Sequence, residues 1–158
     1  MTFEIERKFL VKSTDFKKDY LKKTYIKQGF LNSDKNRVVR VRITDNKGFL
    51  TVKGLSNESG TTRFEWEKEI DRKDAVNLLT ICEDGIIEKY RYVINFSDSV
   101  YEVDEFLGDN GGLFIAEIEL KSENEPFSKP TWLGKEVTGI KKYYNAKLIK
   151  NPYKNWKK

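Results

Sequence analysis

Glu4-Ile5-Glu6-Arg7-Lys8 and Glu117-Ile118-Glu119-Leu120-Lys121 carry one pattern, Glu-x-Glu-x-Lys, near opposite ends of the chain. With 15 Glu and 23 Lys in 158 residues, chance predicts about 0.2 such matches, and two occur. In a strand, residues i, i+2 and i+4 share a face. Each pattern therefore projects two carboxylates and an amine from one side of a strand. Its intervening residues face the other way.

The same alternation runs outward from these two stretches. Val39-Arg40-Val41-Arg42-Ile43 presents a basic pair, Ile86 to Phe96 presents Lys89 and Arg91, and Phe49 to Lys53 presents Lys53. Arg63-Phe64-Glu65-Trp66-Glu67-Lys68-Glu69-Ile70 is acidic at Glu65, Glu67 and Glu69, and Tyr101 to Phe106 is acidic at Glu102 and Asp104. The opposite faces hold Val41, Ile43, Phe64, Trp66, Tyr92, Ile118 and Leu120. Turns at Asp45-Asn46-Lys47-Gly48 and Gly108-Asp109-Asn110-Gly111-Gly112 predict hairpins. Helical spacing is confined to three stretches: Ser13 to Leu21, Arg72 to Cys82 capped by Asp71, and Gly139 to Ile149 stopped by Pro152. Seven or eight mostly antiparallel strands with three helices predict an α+β domain or a barrel.

The alternation is compatible with two arrangements. An open antiparallel sheet has a wet face on which mixed charge keeps the protein soluble. A closed barrel would turn the charge inward, where it is costly unless ions fill it, and the amphipathic helices would cover its apolar outside. Parity places Trp66 outside the ring, packed in the core or under a helix. Arg7 and Lys68 fall on the apolar face, snorkelling at a rim. Lys121 is expected to be solvated, and Cys82 to be inert on the apolar side of its helix.

Composition narrows the chemistry. There is no histidine, which excludes Ser-His-Asp triads and His-ligated zinc or iron. One cysteine forms neither an internal disulfide nor a four-Cys metal site. The net charge of +5 is small beside 30 Lys and Arg and 25 Asp and Glu, so no nucleic-acid partner is expected. No apolar run approaches the ~20 residues of a membrane span and the N-terminus lacks signal-peptide features, so the expected location is cytoplasmic with no membrane partner. Clustered carboxylates without His or Cys suit a hard divalent ion, Mg²⁺ or Mn²⁺. Paired Arg and Lys suit phosphate oxygens. Together they suit phosphoryl transfer.

The ordered set of motifs resembles the CYTH superfamily, the triphosphate tunnel metalloenzymes. Glu4-Ile5-Glu6-Arg7-Lys8 is similar to its N-terminal ExExK signature, and Gln28-Gly29-Phe30-Leu31 to its second strand. Arg40-Val41-Arg42, Thr51-Val52-Lys53-Gly54, Arg63-Phe64-Glu65-Trp66-Glu67, Lys89-Tyr90-Arg91, Glu102-Val103-Asp104 and Glu117-Ile118-Glu119 follow in the family's order. Lys142-Tyr143-Tyr144-Asn145 is similar to a terminal RYSN, with Tyr144 in place of Ser, a departure expected at the periphery. The resemblance implies a closed eight-stranded antiparallel tunnel with helices outside, formed by residues 1–150. A basic tail follows at 151–158, and its Lys-rich stretch from Tyr153 to Lys158 is expected to fray. It implies that Glu4, Glu6, Glu117 and Glu119 hold a metal and that Lys8, Arg40, Arg42, Lys53, Lys89 and Arg91 clamp the phosphates. Glu65, Glu67, Glu102 and Asp104 would hold a second metal or orient water.

Family members include tripolyphosphatases, nucleoside and thiamine triphosphatases and class IV adenylyl cyclases. The chain is compact, with no evident insertion to read an organic group, which favours hydrolysis of inorganic tripolyphosphate to pyrophosphate and phosphate. Cyclisation of ATP to cyclic AMP and pyrophosphate, or hydrolysis of a nucleoside or thiamine triphosphate, is the alternative, and a polyphosphate-binding module is the non-enzyme alternative. The expected partner is a triphosphate-containing small molecule, and a homodimer is compatible with a chain of this kind.

Overall fold

The computed structural model describes residues 2–157. Its strands are β1 (Phe3–Val11), β2 (Lys22–Asn32), β3 (Arg37–Ile43), β4 (Gly48–Gly54), β5 (Thr62–Ile70), β6 (Ile87–Phe96), β7 (Ser99–Phe106), β8 (Phe114–Glu119) and β9 (Leu133–Glu136). Its α-helices are α1 (Arg72–Leu79) and α2 (Asn145–Leu148). The strands pair antiparallel in the order β5-β4-β3-β2-β6-β7-β8-β1. β1 then returns to β5, setting Glu4 opposite Arg63 and Ile5 opposite Thr62. Eight strands thus close into a ring. β9 takes up the same edge of β1 where β5 leaves it, with Phe9 opposite Glu136 and Val11 opposite Leu133.

Closure forces a choice of faces, and hydrophobic burial makes it. Phe9, Tyr92, Tyr101, Val103, Ala116 and Ile118 point out of the ring and are buried beneath Phe16 and Trp132. Phe16 comes from a 3-10 turn, Thr14–Lys18, whose N-cap Ser13 accepts a hydrogen bond from the Asp15 amide. On the far side Val41 and Ile43 lie under α1 through Ala75. That contact is close enough that a Cβ on Gly48 would sit 2.6 Å from the Ala75 Cβ. A glycine is required there. The Asp71 carboxylate caps α1 by accepting from the Lys73 amide at 2.8 Å.

The helical stretches depart from expectation in extent and in place. α1 ends at Leu79, where the Thr80 hydroxyl bonds to the Asn77 carbonyl. Residues 139–149 form a 3-10 turn, Lys141–Tyr143, and the single turn α2. Their buried Tyr143 and Leu148 pack on Phe30, Val38, Phe106 and Ile115. Phe30 shares its face with Arg40, and Phe106 with Lys89, so this cluster fills one end of the ring from within. The segment is a plug rather than an outer cover.

Three further expectations are corrected. The C-terminal tail, apart from Lys158, which lies outside the described residues, is docked. Trp156 stacks edge-on against Tyr143 and Tyr153, and the Tyr153 amide donates to Asn110 Oδ1 at 2.9 Å. Trp66 is outside the ring but 44% exposed, so it is not packed in the core. Arg7 does not snorkel. Its guanidinium makes a two-bond fork to Glu136, at 2.8 and 2.6 Å, and pins β9 to β1. No helix among the described residues is long and apolar enough to cross a membrane.

Candidate active site

The inward faces of the eight strands enclose a cavity of about 720 Å³. All of the sequence-derived site residues line it except Asp104, which lies buried in its wall. Strand register explains the gathering. Thr51 and Lys53 on β4 face Glu67 and Glu65 on β5. Arg91 on β6 faces Asp104 on β7, and Lys8 on β1 faces Glu117 on β8.

Most cations are held by carboxylates. Lys53 Nζ lies 2.8 Å from Glu4 and 3.3 Å from Glu65. Lys89 Nζ lies 2.7 Å from Asp104, which also takes a two-bond fork from Arg91. Arg91 further reaches Glu102 at 3.5 Å. Two guanidiniums stand apart. Arg42 has no carboxylate within ion-pair distance among the described residues, and its Nε donates to the neutral Gln28 Oε1 at 2.9 Å. Arg40 bonds Thr51 and approaches Glu67 at 3.5 Å, but its Nε is buried with no hydrogen-bond partner. Burial, with Arg91 nearby, pulls the Arg40 pKa down; burial, Arg40 and Arg91 pull Arg42 lower still. A buried donor left unpaired costs about 1–3 kcal/mol, so this cluster is poised for an anion with several acceptor oxygens.

The opposite wall is crowded with negative charge. Glu6 faces Glu119 directly across β1 and β8, and Glu117 faces Glu102 across β8 and β7. Like charges set opposite one another destabilise a sheet. Burial, then Glu117 and Glu4, push the Glu6 carboxyl up to about 8. Burial, then Glu4 and Glu102, raise Glu119. Burial would also raise Glu4, but Lys53 and Arg63 hold it well below the usual range. Burial and a hydrogen bond shared with Glu4 bring Glu65 up to about 7. Asp104 stays ionised, since Arg91 and Lys89 outweigh its burial.

The donor set fits a divalent cation in kind. Glu4, Glu6, Glu117 and Glu119 offer only hard oxygen ligands, and the crowding around Glu6 is what a cation would relieve. In this conformation no three acidic or thiol side chains among the described residues converge into a ligand cluster. Glu4 is turned instead to Lys53 and Arg63, at 2.8 and 3.3 Å.

The structure adds residues that the sequence reading missed. Arg63 lines the cavity and pairs with Glu4. Its parity with Glu65 and Glu67 was the available signal. Tyr144 is not peripheral. Its ring lies 4.6 Å from Lys8 Nζ and 5.8 Å from the Arg63 guanidinium, on the cavity wall. Lys35, Lys141 and Lys147 extend the basic lining. Gln28 and Asn145 carry no charge and gave no signal beyond their places in the quoted motifs.

Comparison with known proteins agrees with this geometry. The model of the CYTH domain matches residues 2–151. A protein of Acetivibrio thermocellus named inorganic triphosphatase is 51% identical over 155 residues, covering 98% of this chain and 97% of the relative. Another of that name, from Nitrosomonas europaea, is 35% identical over 149 residues, covering 92% and 95%. A crystal structure of an inorganic triphosphatase superposes with a TM-score of 0.67 at 33% identity, covering 92% of this chain and 97% of its own. The chain belongs to the CYTH domain family.

Proposed function

We propose that this protein is a divalent-metal-dependent inorganic triphosphatase that cleaves tripolyphosphate to pyrophosphate and phosphate. The observation that carries the reading is the pair of half-buried arginines that line the tunnel, Arg40 with a buried, unpartnered Nε and Arg42 with no carboxylate within ion-pair distance among the described residues. Relatives 51% and 35% identical over nearly the whole chain bear that activity in their names.

In this reading Arg40, Arg42 and Lys53 grip the phosphate chain from one wall, and Lys8, Lys89 and Arg91 grip it from the other. Glu4, Glu6, Glu117 and Glu119 would hold Mg²⁺ or Mn²⁺, which when bound would neutralise charge on the phosphate oxygens and acidify water. Glu65, poised near neutrality, accepts the proton of the attacking water as the anhydride P–O bond breaks and the new P–O bond forms. Glu67 and Glu102 keep Arg40 and Arg91 directed into the tunnel. Asp104 acts from behind the wall, orienting Lys89 and Arg91 rather than touching substrate.

A panel of tripolyphosphate, ATP and thiamine triphosphate, each with Mg²⁺ and with Mn²⁺, tests the reading. Expected is faster turnover of tripolyphosphate, with equal yields of phosphate and pyrophosphate. Preferential conversion of ATP to cyclic AMP would install the cyclase reading. Binding without turnover of any of the three would make the protein a polyphosphate-binding module.

A further inference from the structure

Among the described residues Arg42 lacks a carboxylate partner, yet it is not free to turn. Its Nε–H is taken by Gln28 Oε1 at 2.9 Å, and Gln28 is fully buried. The other end of that amide, Nε2, donates to Asn145 Oδ1 at 2.7 Å. The same oxygen accepts from Lys89 Nζ at 2.9 Å. A carbonyl oxygen has two lone pairs, so Asn145 Oδ1 is saturated, and both amide orientations follow from their donors.

We infer that Gln28 and Asn145 form a neutral positioning relay through which the plug segment at residues 139–149 aims two clamp cations, Arg42 and Lys89, at the bound phosphates. The chemistry explains why amides stand here. A carboxylate at position 28 would pair with Arg42 and cancel the charge meant for the substrate. An amide fixes the direction of the guanidinium and leaves its charge unspent. Asn145 belongs to α2, whose Leu148 is locked into the apolar end of the tunnel. Seating the plug therefore sets the clamp, though Asn145 itself makes no contact with Arg42.

The kinetic arm of the test rests on the triphosphatase reading, and the spectroscopic arm does not. In the kinetic arm, Gln28→Ala and Asn145→Ala are each expected to lower kcat/KM for tripolyphosphate about tenfold, and the double variant to lower it no further. Losses that multiply to about a hundredfold would overturn the relay. In the spectroscopic arm, solvent exchange of the Arg42 Nε–H is followed by NMR in the substrate-free protein, the resonance being assigned with Arg42→Lys. Asn145→Ala should speed that exchange roughly tenfold. Asn145→Asp, which keeps the acceptor oxygen, should restore protection. An Arg42 signal indifferent to Asn145→Ala in a variant whose thermal unfolding matches wild type would overturn the relay. If the wild type fails to hydrolyse tripolyphosphate, the triphosphatase reading falls, and the Arg42 signal still decides the relay.

Discussion

Arg40 shows how much a single side chain contributes here. Its Nε is buried and unpaired while its Nη2 is engaged by Thr51 and Glu67. Arg40→Ala should therefore cost roughly 2–4 kcal/mol of transition-state stabilisation in kcat/KM. Arg40→Lys should recover only part of it, since an ammonium cannot fill both the Thr51 and the phosphate positions. The carboxylates separate in stability rather than in activity. Glu4 is buried between Lys53 and Arg63, so Glu4→Gln should destabilise the fold by on the order of 3 kcal/mol. Among the described residues Glu119 has no cationic partner within ion-pair distance, and although the residue is exposed, partial desolvation and the nearby Glu4 and Glu102 raise its carboxyl. Glu119→Gln should leave the melting temperature unchanged or raise it. Thermal unfolding of both variants in chelator checks the contrast, and equal losses would refute it. Charge parity made these residues legible in the sequence, because each sits two positions from another charge on one strand. It did not reveal which cation each carboxylate would take, since that depends on the register between strands.

The strands were legible because alternation survives wherever one face is apolar. Leu133-Gly134-Lys135-Glu136 was not legible as a strand, being too short to show a period. It forms because β1 extends past the end of β5 and leaves an edge to be paired. Gly134 permits the approach, since a Cβ there would lie 2.9 Å from the Leu10 carbonyl oxygen. The plug at residues 139–149 looked like an ordinary amphipathic helix because Ile140, Tyr143, Tyr144 and Leu148 are spaced for one. Its break at Tyr144, an extended residue at ψ 136°, comes from serving two surroundings, with Tyr143 in the apolar end and Tyr144 on the charged wall. The Arg7 fork on β9 gives a pH test. The hydrogen bonds from Arg7, outweighing burial, hold Glu136 below its usual range. A depressed carboxylate stabilises the fold above its unfolded pKa near 4.5, and that contribution is lost as pH falls through the folded value. Glu136→Gln should lower the melting temperature at pH 7, and the gap from wild type should close as pH falls below about 4. A gap of equal size at both pH values would refute a stabilising Arg7–Glu136 pair.

For the molecule as a whole, the sequence held the faces but not the closure. An open sheet and a closed ring have the same alternation; only the return of β1 to β5, with Glu4 opposite Arg63, distinguishes them. Closure turns a charged surface into a charged interior. Charged residues make up 35% of the chain, and many of them face each other across a cavity instead of facing solvent. Such an interior is stable only if its charges are nearly balanced and its remaining field is matched by a ligand. The carboxylate wall and the arginine wall leave that interior divided, with carboxylates crowded at Glu6 and Glu119 and guanidiniums at Arg40 and Arg42. A triphosphate with a divalent cation has the complementary division of charge. The most direct test is a crystal structure with tripolyphosphate in the presence of chelator, which withholds the cation needed for cleavage. The account predicts phosphate density inside the ring, with an oxygen within about 3 Å of Arg40 Nε and others on Arg42 and Lys53. Phosphate density confined to the outer surface, with Arg40 Nε still unpaired, would contradict it.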